Sequence, residues 1–258
     1  MIHELADSNN LDVLNLSFGF PSDDDPNLRP LRNTLRHIHA VNNVVIVAAA
    51  GNSAGLGGAL WPASDRSVVI AVGGCDGDGN PSPSNPTHPE PRLCTLGEGL
   101  KMRLTPDQLE WAKTNRRGHA MPTKDRIEGG SSFATAIMSG IVVTVLDYVN
   151  RTAEGAGLTP WQVQRLKTLR SRNGMVQVLR ERCAEKTGAT RGGYHHIARG
   201  SCRWGRWGFM RLLTRWGGPG GRCVGRRGRV VWYSSLDRYG WNTFYGDLQL
   251  GCSPACTS

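Results

Sequence analysis

The chain has 258 residues, 7 of them cysteine, and a formal net charge of +10. That length bounds it to one or two domains. No continuous apolar run reaches the roughly 20 residues of a membrane span; the longest, Phe133–Val149, is broken by Ser139 and Asp147. The cysteines include no Cys-x-x-Cys pair, so mostly free thiols are expected, with no metal and no other cofactor. The start has no basic stretch leading into an apolar one, so no secretory leader is read and a cytoplasmic location is the expectation. The positive charge is concentrated toward the C-terminus. There Arg199, Arg203, Arg206, Arg211, Arg215, Arg222, Arg226, Arg227, Arg229 and Arg238 face only Asp237 and Asp247, with no lysine.

In chain order, Met1–Asn9 reads as the tail of a helix and Leu11–Ser17 as a short apolar strand. Leu28–Val41 carries Leu31, Leu35 and Ile38 at helical spacing, which predicts an amphipathic helix. Asn43–Ala48 is a second strand, rich in β-branched residues, and Ser67–Gly73 a third that ends in a Gly73-Gly74 turn. Strand, helix and strand of these lengths make a parallel crossover unit. Apolar strands without polar alternation indicate burial on both faces. Asp76–Pro91 is a Pro-, Gly- and Asn-rich loop, and Leu104–Arg117 a helical surface insertion opened by Thr105-Pro106. Phe133–Asn150 is apolar on every side, as a central buried helix is, although its β-branched residues favour a strand on propensity alone. Thr159-Pro160 opens a further helix to Leu169, and Met175–Cys183 a last short one. From about residue 200 the chain turns to Arg, Gly, Trp and Cys with little periodicity.

Two Gly-led turns carry candidate chemistry. Gly130-Ser131-Ser132-Phe133-Ala134-Thr135-Ala136 delivers a serine to the start of the apolar helix. The glycines allow a tight turn, and a hydroxyl at a helix start lies near N–H groups that favour developing negative charge. Taken alone, the motif reads first as an N-capping serine on a buried helix. Upstream, Ala48-Ala49-Ala50-Gly51-Asn52-Ser53 closes a Val-rich strand, and an Asn in such a loop can aim its amide at an oxyanion. In parallel sheets ligands sit beyond the carboxyl ends of strands, where Ser17, Asn52 and Gly73-Gly74 are expected.

Taken in order, Val13-Leu14-Asn15-Leu16-Ser17-Phe18-Gly19, Val47-Ala48-Ala49-Ala50-Gly51-Asn52-Ser53, Trp61-Pro62-Ala63 with Val68-Val69-Ile70-Ala71-Val72-Gly73, and Gly130-Ser131-Ser132-Phe133-Ala134-Thr135 resemble the second half of a subtilisin-like serine peptidase. The resemblance covers residues 1–199, and the serine motif resembles variants found in multidomain fungal proteins. It departs at Ala136, where the family usually has Pro. It implies an α/β fold: a three-layer parallel sheet of subtilisin-like type, N-terminally truncated and followed by an irregular basic tail. It also implies Ser132 as nucleophile and Asn52 as oxyanion-hole amide. Leu16, Ser17, Phe18, Gly19 and Gly51 would line the substrate, a peptide or protein.

The family's Asp-[Thr/Ser]-Gly and His-Gly-Thr motifs do not occur in the sequence. In subtilisin, loss of the histidine alone costs about as much as loss of the whole triad, roughly 10⁶ in turnover. The chain is therefore expected to be a serine endopeptidase domain that is inactive in isolation, with its missing N-terminal half or further domains in a longer protein. A peptide-binding pseudoprotease that pairs with peptide along Leu16–Gly19 is the alternative. Residues 200–258 are expected to stay outside the core as a disordered tail or a stretch read in a non-native frame. Nucleic-acid binding through that tail is the weaker reading, since a basic patch is a poor marker.

The remaining features carry bland expectations. His37 and His39 lie on different sides of a helix and read as surface residues. Asp23-Asp24-Asp25 reads as a solvated acidic loop that could favour basic substrate side chains, Cys75 as a buried structural thiol, and His195-His196 as a pair without a role.

Overall fold

The computed structural model describes residues 11–54, 57–86, 92–103, 106–107, 110, 125–154, 159–184, 194–197, 229–235 and 241–247. The helix expected over Met1–Asn9 lies outside them, as does most of the 104–117 insertion. The chain lays down β1 (Val13–Ser17), α1 (Arg29–Ala40), β2 (Val45–Ala49), β3 (Val69–Cys75) and β4 (Arg92–Leu96). A small antiparallel pair, β5 (Leu100–Arg103) and β6 (Asp125–Glu128), follows. Then come α2 (Ser131–Glu154), α3 (Pro160–Thr168), α4 (Arg172–Val178), β7 (Tyr194–His196), β8 (Arg229–Ser235) and β9 (Trp241–Asp247).

The main sheet has seven strands in the order β7-β4-β3-β2-β1-β8-β9. Every neighbouring pair is parallel except β8 and β9. The strands are apolar because helices cover both faces. On one face Leu14, Leu16, Ile46, Ala48 and Val69 pack with Leu35 and Ile38 of α1. On the other, Val13, Val45, Val47, Ile70, Val72 and Leu93 pack with Ala134, Met138, Val142 and Val145 of α2 and with Met175 and Val178 of α4. This is the three-layer α/β arrangement expected from the sequence.

Local signals account for the helix starts. Asp25 accepts from Asn27 N at 2.8 Å and caps the 3₁₀ turn Pro26–Leu28 that leads into α1. Asp23 pairs with Arg32 at 3.1 Å, so the acidic triplet is engaged in building this turn. Ser171 accepts from Gly174 N at 3.1 Å and caps α4, which a single π-helical turn, Leu179–Cys183, continues. Helix α2 is long and apolar enough to cross a membrane by length and composition. The interruptions at Ser139 and Asp147 hide that length from a count of consecutive apolar residues. In the fold Ala134, Met138, Val142 and Val145 are fully buried against the sheet.

Two expectations are corrected. Gly73 and Gly74 form no turn; both are strand residues of β3. A side chain at Gly73 would come within 2.9 Å of the Asn85 amide. That amide accepts from Gly74 N at 2.8 Å and donates to Gly74 O at 2.7 Å, so the glycine makes room for a side chain that pairs with the strand. The second correction concerns the tail. Residues 229–235 and 241–247, expected outside the core, join the main sheet. β8 pairs with β1 in the register Val13↔Val230 to Ser17↔Ser234. The physical reason is that Val230-Val231-Trp232-Tyr233 is a β-branched and aromatic run, and β1, buried on both faces, otherwise presents an open ladder edge.

Candidate active site

Ser132 occupies the first turn of α2, placed there by Gly130 at φ 137°. Glycine is required at that angle. A Cβ at Gly130 would also come 2.8 Å from Asn52 Nδ2. Asn52 stands in the loop after β2, behind Gly51 at φ 112°. Two bonds lock the loops together: Ser131 N donates to Asn52 Oδ1 at 2.7 Å, and Gly51 N donates to Ser131 Oγ at 3.1 Å. Gly130 N donates to Gly97 O at 2.6 Å and ties the same turn to the chain after β4.

The serine hydroxyl points at β1. Ser132 Oγ donates to Ser17 O at 3.2 Å. Ser17 Oγ lies 2.8 Å from Asn15 Oδ1 and 3.0 Å from Ser132 O. Asn15, fully buried, donates through Nδ2 to Ser139 Oγ at 3.1 Å. Ser139 Oγ in turn donates to Thr135 O, and Thr135 Oγ1 to Ser131 O. Each buried polar group in this row has a partner, as burial demands, and the row ends at the turn that carries Ser132.

The first turn of a helix has N–H groups without intrahelical acceptors. In α2, Ser131 N is taken by Asn52, while Phe133 N and Ala134 N donate to Gly130 O at 3.2 and 3.4 Å. Among the described residues Ser132 N–H has no acceptor. It sits beside the Ser132 hydroxyl and the Asn52 carboxamide, whose oxygen is already committed and whose NH₂ end is the donor. A hydroxyl at such a helix start, next to a backbone N–H without an acceptor, is suited to attack a carbonyl, with that N–H available to the oxygen that becomes charged. Among the described residues, no imidazole or carboxylate contacts Ser132 Oγ.

The five substrate residues divide. Leu16 and Phe18 are buried in the α1-side core, so their side chains support the site from beneath rather than line it. Ser17 is half-buried at the carboxyl end of β1, and its carbonyl receives Ser132 Oγ. Gly19 and Gly51 pack on Leu60, where a Cβ would stand 2.5 and 3.0 Å from that side chain. Phe20 and Trp61 exchange backbone bonds of 2.7 and 2.9 Å and close the wall behind them. Both ladder edges of Val13–Leu16 are occupied, by β2 and β8.

Ser131, Asn15 and Glu98 were not singled out from the sequence. Asn15 was visible as a lone amide in an apolar strand, which must find a partner when both faces are buried. Ser131 was read only as part of the motif. Glu98 lies so close to the glycine turn that a side chain at Gly129 would overlap its carboxylate, and nothing in its sequence surroundings signals this.

The model of the subtilase family matches residues 1–188. The chain is 28% identical over 138 residues to the subtilisin-like protease het-Q2 of Podospora anserina, covering 53% of this chain and 34% of that protein. It is 30% identical over 144 residues to the subtilisin-like protease SBT6.1 of Arabidopsis thaliana, covering 56% of this chain and 13% of that protein. Among solved structures, the prenylagaramide maturation protease PagA matches at 24% identity and TM-score 0.42, over 56% of this chain and 46% of that one. The chain thus spans about a third or less of the length of these curated relatives.

Proposed function

Because the chain belongs to the subtilase family, we propose that it is the nucleophile-bearing part of a serine endopeptidase acting on peptide or protein substrates. Ser132 Oγ attacks the scissile carbonyl. Ser132 N–H and the Asn52 amide hold the charge that develops on the carbonyl oxygen. The observation that supports this reading is the pair of bonds from Ser131 N to Asn52 Oδ1 and from Gly51 N to Ser131 Oγ, which tie the loop that carries Asn52 to the turn that carries Ser132.

Attack also requires that the hydroxyl proton leave. In the fold that proton lies toward Ser17 O, a backbone carbonyl that cannot take it. An imidazole must therefore reach Ser132 Oγ from outside the described residues. An oxyanion hole and binding alone leave about 10³–10⁴ over water, so the 258-residue chain by itself turns over slowly or not at all. The pseudoprotease reading gains less support. Strand addition along Leu16–Gly19 meets β8 on the edge of β1 as far as Ser17.

A fluorophosphonate probe with peptide mapping tests the proposal. The 258-residue chain should label slowly, with Ser132 as the modified residue, and Ser132→Ala should not label. Addition of a subtilase segment carrying His-Gly-Thr should accelerate labelling of Ser132. Rapid labelling of the chain alone, lost in Ser132→Ala, would show that one of its own histidines, such as His119, acts as base. Labelling at another residue would remove Ser132 from the nucleophile role.

A further inference from the structure

Away from Ser132, three adjacent strands place two thiols and an imidazole on one face of the sheet. Cys94 and His196 are register partners across β4 and β7. Gly73 and Cys94 are partners across β3 and β4, and Cys75 lies two residues beyond Gly73. Partnered side chains and those two residues apart share a face, so Cys75, Cys94 and His196 project together. Cys75 and Cys94 are fully buried in one cluster with Tyr194. His196 is half-buried, and the turn after β3 closes over it so tightly that a side chain at Gly79 would overlap its Nδ1. Both cysteines are reduced, and Cys94 Sγ lies 3.8 Å from His195 O. Among the described residues no group of three or more side chains could hold a metal ion.

We propose that Cys75 and Cys94 are a hydroperoxide-sensitive thiol pair, with Cys75 the sulfur that reacts first and His196 the residue that activates it. The Cys75 thiolate attacks one oxygen of the hydroperoxide. An S–O bond forms, the O–O bond breaks, and the second oxygen leaves as an alcohol, or as water from hydrogen peroxide, after taking up a proton. Cys75 is oxidised by two electrons to a sulfenic acid. Cys94 then attacks the Cys75 sulfur. An S–S bond forms, the S–O bond breaks, and the hydroxyl leaves as water with the Cys94 proton. The net change converts two thiols and one hydroperoxide into a disulfide, an alcohol or water, and a water.

The order of reaction follows from the surroundings. The hydrogen bond with Cys94, and then the hydrogen bond and charge of His196, hold the Cys75 thiol well below the usual thiol range against the opposing effect of burial. Cys94 is pushed up, first by its hydrogen bond with Cys75 and then by burial. The pair also lies within reach of the nucleophile turn. Cys75 O accepts from Gly97 N at 2.8 Å and from Glu98 N at 3.1 Å, and Gly97 O accepts from Gly130 N. A cross-link between β3 and β4 therefore acts on the segment that positions Gly130 and Ser132.

Peptide mapping tests this without relying on peptidase activity. The folded 258-residue chain is treated with hydrogen peroxide, quenched in acid, alkylated and digested with trypsin. Cleavage after Arg66, Arg92 and Lys101 separates Cys75 from Cys94, so a disulfide appears as linked peptides 67–92 and 93–101. That species should dominate, with Cys183 still alkylated. Cys94→Ser should stop the reaction at a sulfenic acid on Cys75 that dimedone traps. His196→Ala should slow Cys75 oxidation about tenfold. Two intact thiols at a peroxide dose that oxidises free glutathione would overturn the proposal. So would linkage of Cys75 to a cysteine other than Cys94, and unchanged kinetics in His196→Ala would remove the imidazole from it.

Discussion

On the α1 side of the central sheet, Leu14, Leu16, Ile46 and Ala48 meet Leu35 and Ile38. On the α2 side, Val13, Val45, Ile70 and Val72 share their layer with Asn15, Thr135 and Ser139, all fully buried. The same strands make both layers, since alternate residues of β1 face opposite ways. The α1 layer needs apolar volume alone. The α2 layer adds a row of hydroxyl and amide groups running from Ser139 through Asn15 and Ser17 to Ser132. Burying that row gains little stability, because each bond replaces one to water. It fixes where α2 begins relative to the carboxyl end of β1, and so where the Ser132 hydroxyl stands.

Substitutions that treat the layers differently sharpen this contrast. The largest losses come from emptying either apolar layer. Ile38→Ala and Met138→Ala should each cost about 2–5 kcal/mol by urea unfolding. If one layer tolerates truncation freely, the sheet is not packed on both faces. Next comes the polar row. Asn15→Leu removes the buried amide that links the Ser139 and Ser17 hydroxyls and should cost about 1–3 kcal/mol. Asn15→Leu with Ser139→Ala should recover part of that loss, and a double-mutant cycle with no coupling would dissolve the row as a unit.

A smaller effect is expected at the turn. Gly130→Ala forces a side chain onto φ 137° and against Asn52, at a cost of about 1–2 kcal/mol. Its signature is a fall in fluorophosphonate labelling of Ser132 that exceeds the loss of stability. Equal probe reactivity in Gly130→Ala would mean that the turn does not set the hydroxyl's position. Smallest of all is Arg151→Ala, which removes a helical i,i+4 pair with Asp147 at 2.9 Å and should cost no more than about 0.5 kcal/mol.

Much of the α1 side was legible in the sequence because it obeys one rule. Leu31, Leu35 and Ile38 at helical spacing, followed by a Val-rich run, leave few other arrangements. The α2 side was legible through its motif, since the β-branched residues of that helix argue against a helix on propensity. Other features were set by partners distant in the chain. Gly73-Gly74 carries a local turn signal, yet Asn85 supplies the amide that makes it strand. The hairpin β5–β6 joins charged segments on either side of a long insertion, so no local period announces it. The strands of the tail were missed for a related reason. Arg and Gly dominate that composition, and the ladders that Val230–Ser234 joins, on β1 and β9, are not announced by its local sequence. At the site, the two glycine turns and Ser132 could be read directly, whereas the bond from Gly51 N to Ser131 Oγ depends on how two loops meet.

The pairing of β1 with β8 has a consequence for the order of folding. β1 gains this neighbour from a segment far downstream in the chain, in the register Val13↔Val230. β2, β3, β4 and α2 can assemble on β1 as they emerge, because their contacts close shorter loops. The β8 side of β1 stays open until Arg229–Ser235 has left the ribosome. Contacts of such high sequence separation form slowly, and an apolar strand left waiting with a free edge pairs with whatever strand arrives first. The interval before β8 docks is thus when the chain is most exposed to misassembly. A chain that stalls or ends within that interval keeps the Ser132 turn but leaves β1 without its second partner.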